Sequence, residues 1–510
     1  MRKLSFLTLF VLVACVTVRR IDIKPVDPTA VTPVVVESPV KVHRLDGSTV
    51  MFPKGMTIHD GRLIGDGLEY DLTLENPTSV TEIALEDVAA MESYQDAVNT
   101  GATVAATTVT TVAGGYAALG LLKAIFGSCP TTYSLTAAGA ILEAESFSYS
   151  IAPGFEARDV DRLGIESHGQ RSIMLEMRNE ALETHYIDHV ELLEVAHGPN
   201  EQVYPDAQGR PVVVGALLPA ASVTDRDGAS VAGFTGAVDG NAWQSTAERL
   251  QRVSGENLND YLDVEFEVPR SGADPALVLR LRNSLLNTVL LYDVMLKGQG
   301  YRALDWMGQD LDRLGPKFRL ARWYRQHMGL HVYIHERGRY RRLATLPDSG
   351  PIAWKEVAIP LGRVAGDRVR LRLSSVADNW RIDRIALAAT WEPGKARPVP
   401  VGSVRGADGA LLPEVRDHLQ RADDDYVITR PGEYMVLQFD AGDPRAGSRR
   451  TWFLAAEGYY IEWMRPEWLG HSTTTAFVPD DSALLTALDL WRERRDRYRQ
   501  LFESTRVPVR

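Results

Sequence analysis

The sequence predicts a mainly β protein, in which a small SH3- or Sm-like barrel and an apolar helix precede antiparallel, jelly-roll-like β-sandwich domains and a C-terminal helix. Three observations support this fold class. Short β-prone stretches alternate with turn residues through most of the 510-residue chain. Asp-Gly pairs, a strong hairpin signal, separate several of them, as at Asp46-Gly47 and Asp60-Gly61. The composition, 45% hydrophobic and 24% charged, is that of a globular protein.

Residues 1–14 have the pattern of a signal peptide, because Arg2 and Lys3 precede an apolar run that is too short to span a bilayer. The run ends in Leu12-Val13-Ala14-Cys15, which resembles the lipobox of bacterial lipoproteins. This resemblance implies cleavage before Cys15 and its acylation with chains such as palmitate. The alternative is an uncleaved signal anchor. Val16 after the cysteine resembles the pattern that Gram-negative cells sort to the outer membrane, so we expect a lipid-anchored protein of the bacterial cell envelope.

Residues 15–40 carry four prolines among valines and threonines, which predicts an extended, lipidated tether. Residues 41–94 then contain short strand-like runs between turns, and we assign them to the small β-barrel.

The next segment, residues 95–127, is apolar and predicted to be helical. It includes a run without charged residues, 98–122, whose length makes it a candidate membrane span. Its content of Thr, Ala and Gly favours instead a helix that packs on protein or joins copies of the chain in a homo-oligomer.

Two β-rich regions follow, at residues 128–300 and 301–479, and we interpret them as antiparallel sandwiches. The first region has predicted strands at 173–177, 187–195, 212–218, 262–268, 276–281 and 288–296. The second begins with helical stretches at 305–328 and continues with strands at 330–335, 340–346, 354–359, 368–373, 382–389, 435–439 and 451–455. Residues 480–510 form a predicted C-terminal helix and tail, with arginines at positions 492, 494, 495, 497 and 499 expected on a solvated face.

Composition excludes several functional classes. Lys+Arg number 56 against Asp+Glu 67, and a net charge of -11 argues against a nucleic-acid partner. Only two cysteines are present, so a cysteine-rich zinc module is excluded, and Cys129 is expected to be a buried structural thiol. We expect no cofactor, because the sequence has neither a phosphate-binding loop nor an HExxH motif.

Two clusters are candidates for metal binding. On a helix, His185 and His189 would share a face at metal-ligand spacing, but the β-branched run around them favours a strand, which separates them. A solvated or partner-facing sheet surface is therefore the favoured interpretation. Asp225 and Asp227 have the acidic alternation of a calcium loop without its later glutamate, and a simple turn is the favoured interpretation.

Aromatic residues point to a binding edge in the second half of the chain, where nine of the ten tryptophans lie. One short segment mixes aromatic and charged residues in a way that is difficult to bury. We therefore predict an exposed binding edge there, formed by Tyr459, Tyr460, Trp463 and Trp468. Glu462 and Glu467 in the same segment are candidates for a glycosidase pair.

Four segments resemble a group of uncharacterised bacterial envelope lipoproteins: residues 128–134, 179–197, 377–384 and 458–463. The resemblance implies an exported, mostly β protein and brings no catalytic residues with it. Two functions remain open. The first is a non-enzymatic, membrane-anchored protein that binds an envelope protein or a glycan. The second is a glycan-directed hydrolase with a carboxylate pair on the C-terminal sandwich.

Overall fold

The chain forms two compact units in a computed structural model. The N-terminal unit comprises Met1–Glu69, Thr78–Lys123 and Met464–Gly470, and the C-terminal unit comprises Tyr70–Pro77, Ala124–Trp463 and His471–Arg510. Within these bounds the structure describes residues 20–26, 33–37, 39–74, 77–99, 102–112, 129–136, 139–165, 171–255, 257–268, 273–311, 313–443, 447–463, 468 and 477–503.

The described part of the N-terminal unit is built on one sheet, whose strand pairs are mostly antiparallel. Its strands are Arg20–Val26, Val34–Val36, Val40–Arg44, Thr49–Phe52, Met56–His59, Arg62–Tyr70, Thr78–Ala84, Val88–Asn99 and Ala102–Val112. Valine, phenylalanine and methionine side chains such as Val42, Phe52 and Met91 fill its core. The strand-rich pattern predicted for residues 41–94 is therefore present, and it extends in both directions along the chain.

Two predictions for this region are wrong. Arg20–Val26 pairs with Ala102–Val112, and Val34–Val36 pairs with Met56–His59, so parts of the predicted tether are sheet strands. Residues 102–112 form a strand instead of the predicted apolar helix. Their many threonines and valines are β-branched and fit a pleated sheet better than a helix.

Other predictions about this end of the chain are not tested. Cys15 and residues 113–122 lie outside the described residues. Among the described residues, no helix is both long and apolar enough to cross a bilayer.

The C-terminal unit contains a β-sandwich, here called the sandwich. One sheet consists of Leu217–Pro219, Ala276–Asn283, Lys355–Pro360 and Trp380–Ala388, and the other of Ser222–Asp225, Asn259–Glu267, Leu330–Glu336, Arg339–Leu346 and Arg368–Val376. Alternate residues of Asn259–Glu267 are buried, as expected for a strand with one face on the core. The fold class is confirmed: the protein is mostly β, with antiparallel sheets in a sandwich-like arrangement.

The rest of this unit is built on a second large sheet, here called the folded sheet. Its strands are Thr131–Thr136, Gly139–Glu145, Ala157–Arg162, Ser172–Arg178, Glu183–His197, Ala396–Arg405, Val427–Thr429, Tyr434–Asp440 and Arg449–Glu462. Ala396–Arg405 pairs with Glu183–His197 through its first half and with Tyr434–Asp440 through its second half. The sheet therefore bends over its own core. A small third sheet consists of Gln202–Pro205, Pro211–Val214 and Trp391–Pro393.

The predicted boundary between residues 300 and 301 is wrong, because it falls inside the sandwich. Ala276–Asn283 pairs with Trp380–Ala388 across this boundary. The sandwich is thus inserted between strands of the folded sheet. Pairing over about a hundred residues leaves no local trace in the sequence, which is why turn signals alone misplace the boundary.

Helical segments connect these sheets. They are Leu85–Asp87, Pro153–Phe155, Ala232–Thr235, Ala247–Gln251, Leu286–Val289, Leu290–Leu296, Lys297–Gln299, Gly300–Arg302, Ala303–Asp305, Trp306–Asp310, Leu314–His327, Pro413–Leu419 and Asp481–Glu503. The strand predicted at 288–296 is therefore wrong. A short, mostly apolar run has no periodicity that distinguishes a buried strand from a buried helix.

The predicted C-terminal helix is confirmed as Asp481–Glu503. Asp480 precedes it, and its carboxylate accepts the backbone N–H of Ala483 at 3.0 Å, a typical N-cap. One face of the helix packs on the sandwich, where the buried carboxylate of Asp378 accepts the indole N–H of Trp491 at 2.8 Å and pairs with Arg495 at 2.8 Å.

The sequence predicts that the arginines of this helix lie on one solvated face, and this prediction is wrong. Nε of Arg492 donates to the carbonyl of Leu250 at 3.0 Å, and Arg494 pairs with Asp293 at 3.2 Å. Arg497 is exposed. Long arginine side chains reach back to partners on the packed side, so their charge does not mark a solvated position.

We expect Asp378→Asn to destabilise the C-terminal unit by about 3 kcal/mol, because it leaves the mostly buried guanidinium of Arg495 without its carboxylate. The control is Asp489→Asn, which removes an exposed partner of Arg492 on the same helix and should cost about 0–1 kcal/mol. Urea unfolding of the two variants measures the difference. Equal losses would contradict the anchoring role of Asp378.

Candidate functional site

The C-terminal unit contains a cavity of about 520 Å³, which is within the size range of small-molecule sites. It lies where the end of strand Gly139–Glu145 faces helix Leu314–His327 and the loop that follows strand Arg339–Leu346. Its lining residues are Cys129, Glu145, Ser148, Tyr149, Ile151, Gly154, Phe155, Glu156, Ala157, Asn287, Thr288, Leu291, Tyr292, Lys317, Leu320, Ala321, Tyr324, Arg325, Gly329, Pro347, Asp348, Gly350, Pro351 and Tyr460.

Glu145 is a fully buried carboxyl on the wall of this cavity. Its Oε2 accepts the backbone N–H groups of Ile352 at 2.7 Å and Ala353 at 3.1 Å. Its Oε1 is buried and has no hydrogen-bond partner in the described structure. Burial raises the pKa of Glu145 to about 7, against the lowering effect of the two N–H groups. An unsatisfied buried oxygen is costly, so this atom is suited to accept a hydrogen bond from a ligand.

Gly350 allows the loop to approach this carboxyl. Its φ is +76°, in the left-handed region, which is strained for residues other than glycine. A Cβ atom at this position would lie 2.5 Å from the carboxyl carbon of Glu145. Only glycine therefore lets the loop pass close enough for its N–H groups to reach Glu145.

A second carboxyl, Asp348, lies on the same loop and also lines the cavity. Its Oδ1 accepts the N–H of Gly350 at 3.0 Å, and its Oδ2 accepts the side-chain N–H of Asn287. The hydroxyl of Tyr324 donates to the side-chain oxygen of Asn287. Burial raises the pKa of Asp348 to about 6. The chain of hydrogen bonds fixes this carboxyl at the cavity wall.

Glu156 is the third acidic residue of the lining. Its Oε2 accepts the hydroxyl proton of Tyr426 at 2.8 Å, and its Oε1 is buried without a partner among the described residues. Burial raises its pKa to about 7. The cavity thus has three carboxyls whose protonation changes near neutral pH.

Aromatic side chains form much of the remaining wall. The hydroxyl of Tyr460 donates to the carbonyl of Ser148 at 3.2 Å, and the hydroxyl of Tyr292 donates to Glu462. Because these hydroxyls are held by protein partners, the rings have fixed positions. The cavity therefore combines rigid apolar surfaces with hydrogen-bond acceptors.

The structure places the predicted binding edge inside the protein. Tyr459, Tyr460, Trp463 and Trp468 are 1%, 4%, 3% and 1% exposed, so they do not form an exposed edge. The charge between them is accommodated because Glu462 is hydrogen-bonded by a buried tyrosine. Of the four, Tyr460 lines the cavity. Glu467, the other half of the proposed pair, lies outside the described residues.

The two histidine candidates are on strand Glu183–His197. His185 is fully buried, and its ring nitrogens lie 2.8 Å from Glu183 and 3.2 Å from the Thr429 hydroxyl. His189 is half-buried and is paired with Glu457 in the strand register. The contacts of His185 are those of a structural histidine.

The aspartate candidates form a turn. Oδ1 of Asp225 accepts the N–H groups of Asp227 at 3.0 Å and Ala229 at 2.9 Å, and Asp227 pairs with Arg252. In the part of the chain that the structure describes, no group of three or more His, Cys, Asp or Glu residues is arranged to hold a metal ion.

Sequence reasoning missed Glu145, Glu156 and Asp348. None of the three is part of a recognisable sequence motif, and the loop that contacts Glu145 is 207 residues away in sequence. Cys129 is buried, as the sequence predicts, and its thiol pKa is raised well above the usual value by burial. It lines the cavity as an uncharged group.

No family model matches the chain, and no curated protein matches it. Among solved structures, a cycloalternan-forming enzyme from Listeria monocytogenes in complex with a pentasaccharide substrate is 11% identical, with a TM-score of 0.18, over 70% of this chain and 29% of that enzyme. An allantoicase is 10% identical, with a TM-score of 0.17, over 52% of this chain and 90% of that one. A GH31 α-xylosidase from Xanthomonas citri is 11% identical, with a TM-score of 0.15, over 84% of this chain and 38% of the xylosidase. Similarities at such TM-scores carry no argument about the activity of this chain.

The raised pKa of Glu145 predicts a specific pH dependence of stability. A carboxyl with a higher pKa in the folded chain contributes stability at low pH, and this contribution is lost as the pH rises from the ordinary value of 4.5 to about 7. The amide of Glu145→Gln does not ionise, so the variant does not lose this stability as the pH rises. We therefore expect its free energy of unfolding to increase by on the order of 2 kcal/mol relative to that of wild type between about pH 5 and about pH 8. Urea unfolding at several pH values measures this gain. Glu414→Gln, at an exposed site, is the control, and parallel pH profiles for wild type and Glu145→Gln would show that the Glu145 pKa is ordinary.

Proposed function

We propose that the protein is a lipid-anchored envelope protein whose C-terminal unit binds a small glycan in the cavity, without transforming it. The observation that carries this proposal is Oε1 of Glu145, a buried acceptor without a described partner on the wall of a 520 Å³ cavity. A ligand with hydrogen-bond donors removes the cost of that unsatisfied atom.

A carbohydrate fits the chemistry of the lining. Sugar hydroxyls donate to carboxylates such as Glu145 and Asp348, and the C–H face of a pyranose packs on a tyrosine ring. The acceptors and the rings come from separate segments of the C-terminal unit, so one ligand in the cavity contacts both. A protein partner would require an exposed surface rather than this cavity.

The first experiment is a glycan array probed with the full chain, followed by calorimetry with the best oligosaccharide. We expect saturable binding in the wild type and at least a tenfold weaker affinity in Glu145→Gln, because the amide replaces an acceptor by a donor at one position. Glu414→Gln, which is outside the cavity, should bind as the wild type does. Equal affinity of all three proteins, or no binding by any, would reject the cavity as a glycan site.

A second candidate function is hydrolysis of a glycan with Asp348 and Glu145 as the carboxyl pair. The observation that favours it is that both carboxyls line the same cavity. Burial raises their pKa values to about 6 and about 7, close to the working pH at which general acids and bases are most effective. Mass spectrometry of the bound oligosaccharide after incubation separates the two functions. Intact sugar supports binding alone, and shortened products that disappear in Asp348→Asn support the hydrolase.

The membrane anchor rests on the leader sequence and Cys15. We expect the wild type expressed in a Gram-negative host to fractionate with the outer membrane and to incorporate labelled palmitate. Cys15→Ser should abolish incorporation and release the chain from the membrane fraction, since the acyl chains supply the anchoring free energy. Cys129→Ser is the control and should remain membrane-bound. Labelling that persists in Cys15→Ser would contradict the lipobox interpretation.

A further inference from the structure

A second, more polar cavity of about 270 Å³ in the C-terminal unit shares only the lining residue Pro351 with the first. Its lining residues are Arg282, Asn283, Ser284, Leu285, Pro351, Arg381, Arg499 and Phe502. We call it the arginine pocket, because its described lining contains three guanidinium groups and no acidic side chain.

Two of these arginines are placed side by side by the sandwich. Arg282 on strand Ala276–Asn283 is directly opposite Arg381 on strand Trp380–Ala388. Like charges at opposed positions of an antiparallel pair are destabilising. The fold therefore holds two cations side by side, of which Arg282 donates to the carbonyl of Ile352 at 3.1 Å.

A neighbouring pair on the same two strands shows how the protein compensates elsewhere. Arg280 is opposite Arg384, and each has a carboxylate partner: Arg280 pairs with Asp383, and Arg384 pairs with Glu356 at 2.9 Å. Arg381 differs, because it makes no ion pair among the described residues and its Nε is buried without a hydrogen-bond partner.

The third arginine comes from the C-terminal helix. Trp491, Arg495 and Arg499 follow one another at four-residue spacing and so lie on one helical face. The first two are fixed by Asp378, which places Arg499 one turn further along at the pocket. Arg499 also makes no ion pair within the described chain. The helix thus adds a cation to a site that already has two.

The electrostatics of Arg381 agree with this geometry. Burial and the positive charges of Arg282 and Arg499 lower its pKa to about 10. The one nearby carboxylate with the opposite effect, Asp378, is already hydrogen-bonded to Trp491 and paired with Arg495. A bound anion would offset the repulsion of Arg381 by Arg282 and Arg499.

We propose that the arginine pocket binds the phosphoryl group of a small phosphomonoester. Planar guanidinium groups form paired, charge-assisted hydrogen bonds with phosphate oxygens, and a dianion matches several converging cations better than a single carboxylate does. The hydroxyl of Ser284 accepts the N–H of Leu286 at 3.1 Å, which leaves its proton available to a phosphate oxygen. A volume of 270 Å³ exceeds that of the phosphoryl group, so a small organic substituent also fits.

Calorimetry on the full chain with inorganic phosphate, glycerol 3-phosphate and acetate tests this proposal. We expect saturable binding of both phosphates, with acetate at least tenfold weaker. Arg499→Gln should weaken phosphate binding at least tenfold, while Arg497→Gln, an exposed arginine on the same helix, should change it less than twofold. Circular dichroism checks that both variants keep their helix.

Sedimentation with phosphatidic acid vesicles, against phosphatidylcholine vesicles, determines whether the phosphoryl group belongs to a lipid or to a soluble ester. Binding that Arg499→Gln abolishes supports the pocket in either case. The proposal is overturned if wild type shows no saturable binding of any phosphate, or if Arg497→Gln and Arg499→Gln lose affinity equally. Neither result affects the glycan cavity, which Glu145→Gln tests separately.

Discussion

The pair of hydrogen bonds from Ile352 and Ala353 to the buried carboxylate of Glu145 is the contact on which the candidate site depends. It joins the end of a strand of the folded sheet to a loop of the sandwich 207 residues later. That loop also carries Asp348 and Gly350, so the same contact positions the second carboxyl of the cavity. One oxygen of Glu145 performs this structural role, and the other has no described partner and lines a space large enough for a ligand. One carboxylate oxygen of Glu145 thus holds the loop in place, and the other is the acceptor that we propose for the ligand.

Buried charge is handled differently at different places in the C-terminal unit. Lys355 is held by Asp159 and Asp161, and Asp378 is held by Arg495 and a tryptophan N–H. These groups are satisfied, and they stabilise the packing of strands and helix. Glu145 and Arg381 each keep a buried polar atom without a described partner. Since native proteins satisfy almost all buried polar groups, such exceptions are where ligands are to be sought.

Local patterns in the sequence were sufficient for the class of fold and for most strands. Alternation in Asn259–Glu267 and the capped, amphipathic helix at Asp481–Glu503 are examples, because each follows from a short periodic pattern. The domain boundary, by contrast, depends on the pairing of Ala276–Asn283 with Trp380–Ala388, and no local pattern encodes that pairing. Residues 102–112 are a strand and not the predicted helix, because their β-branched threonines and valines favour a pleated sheet although the run has no charged residue. For the site, the sequence identified Cys129 and Tyr460 as residues of interest, but the carboxyls became visible only when distant segments met.

The most direct test of the central claim is a crystal structure of the full chain with the oligosaccharide that binds it best. The account predicts a sugar ring in the 520 Å³ cavity, stacked on a tyrosine, with a hydroxyl within hydrogen-bond distance of Glu145 Oε1. A sugar bound at another surface, with Glu145 Oε1 still lacking a ligand contact, would contradict it.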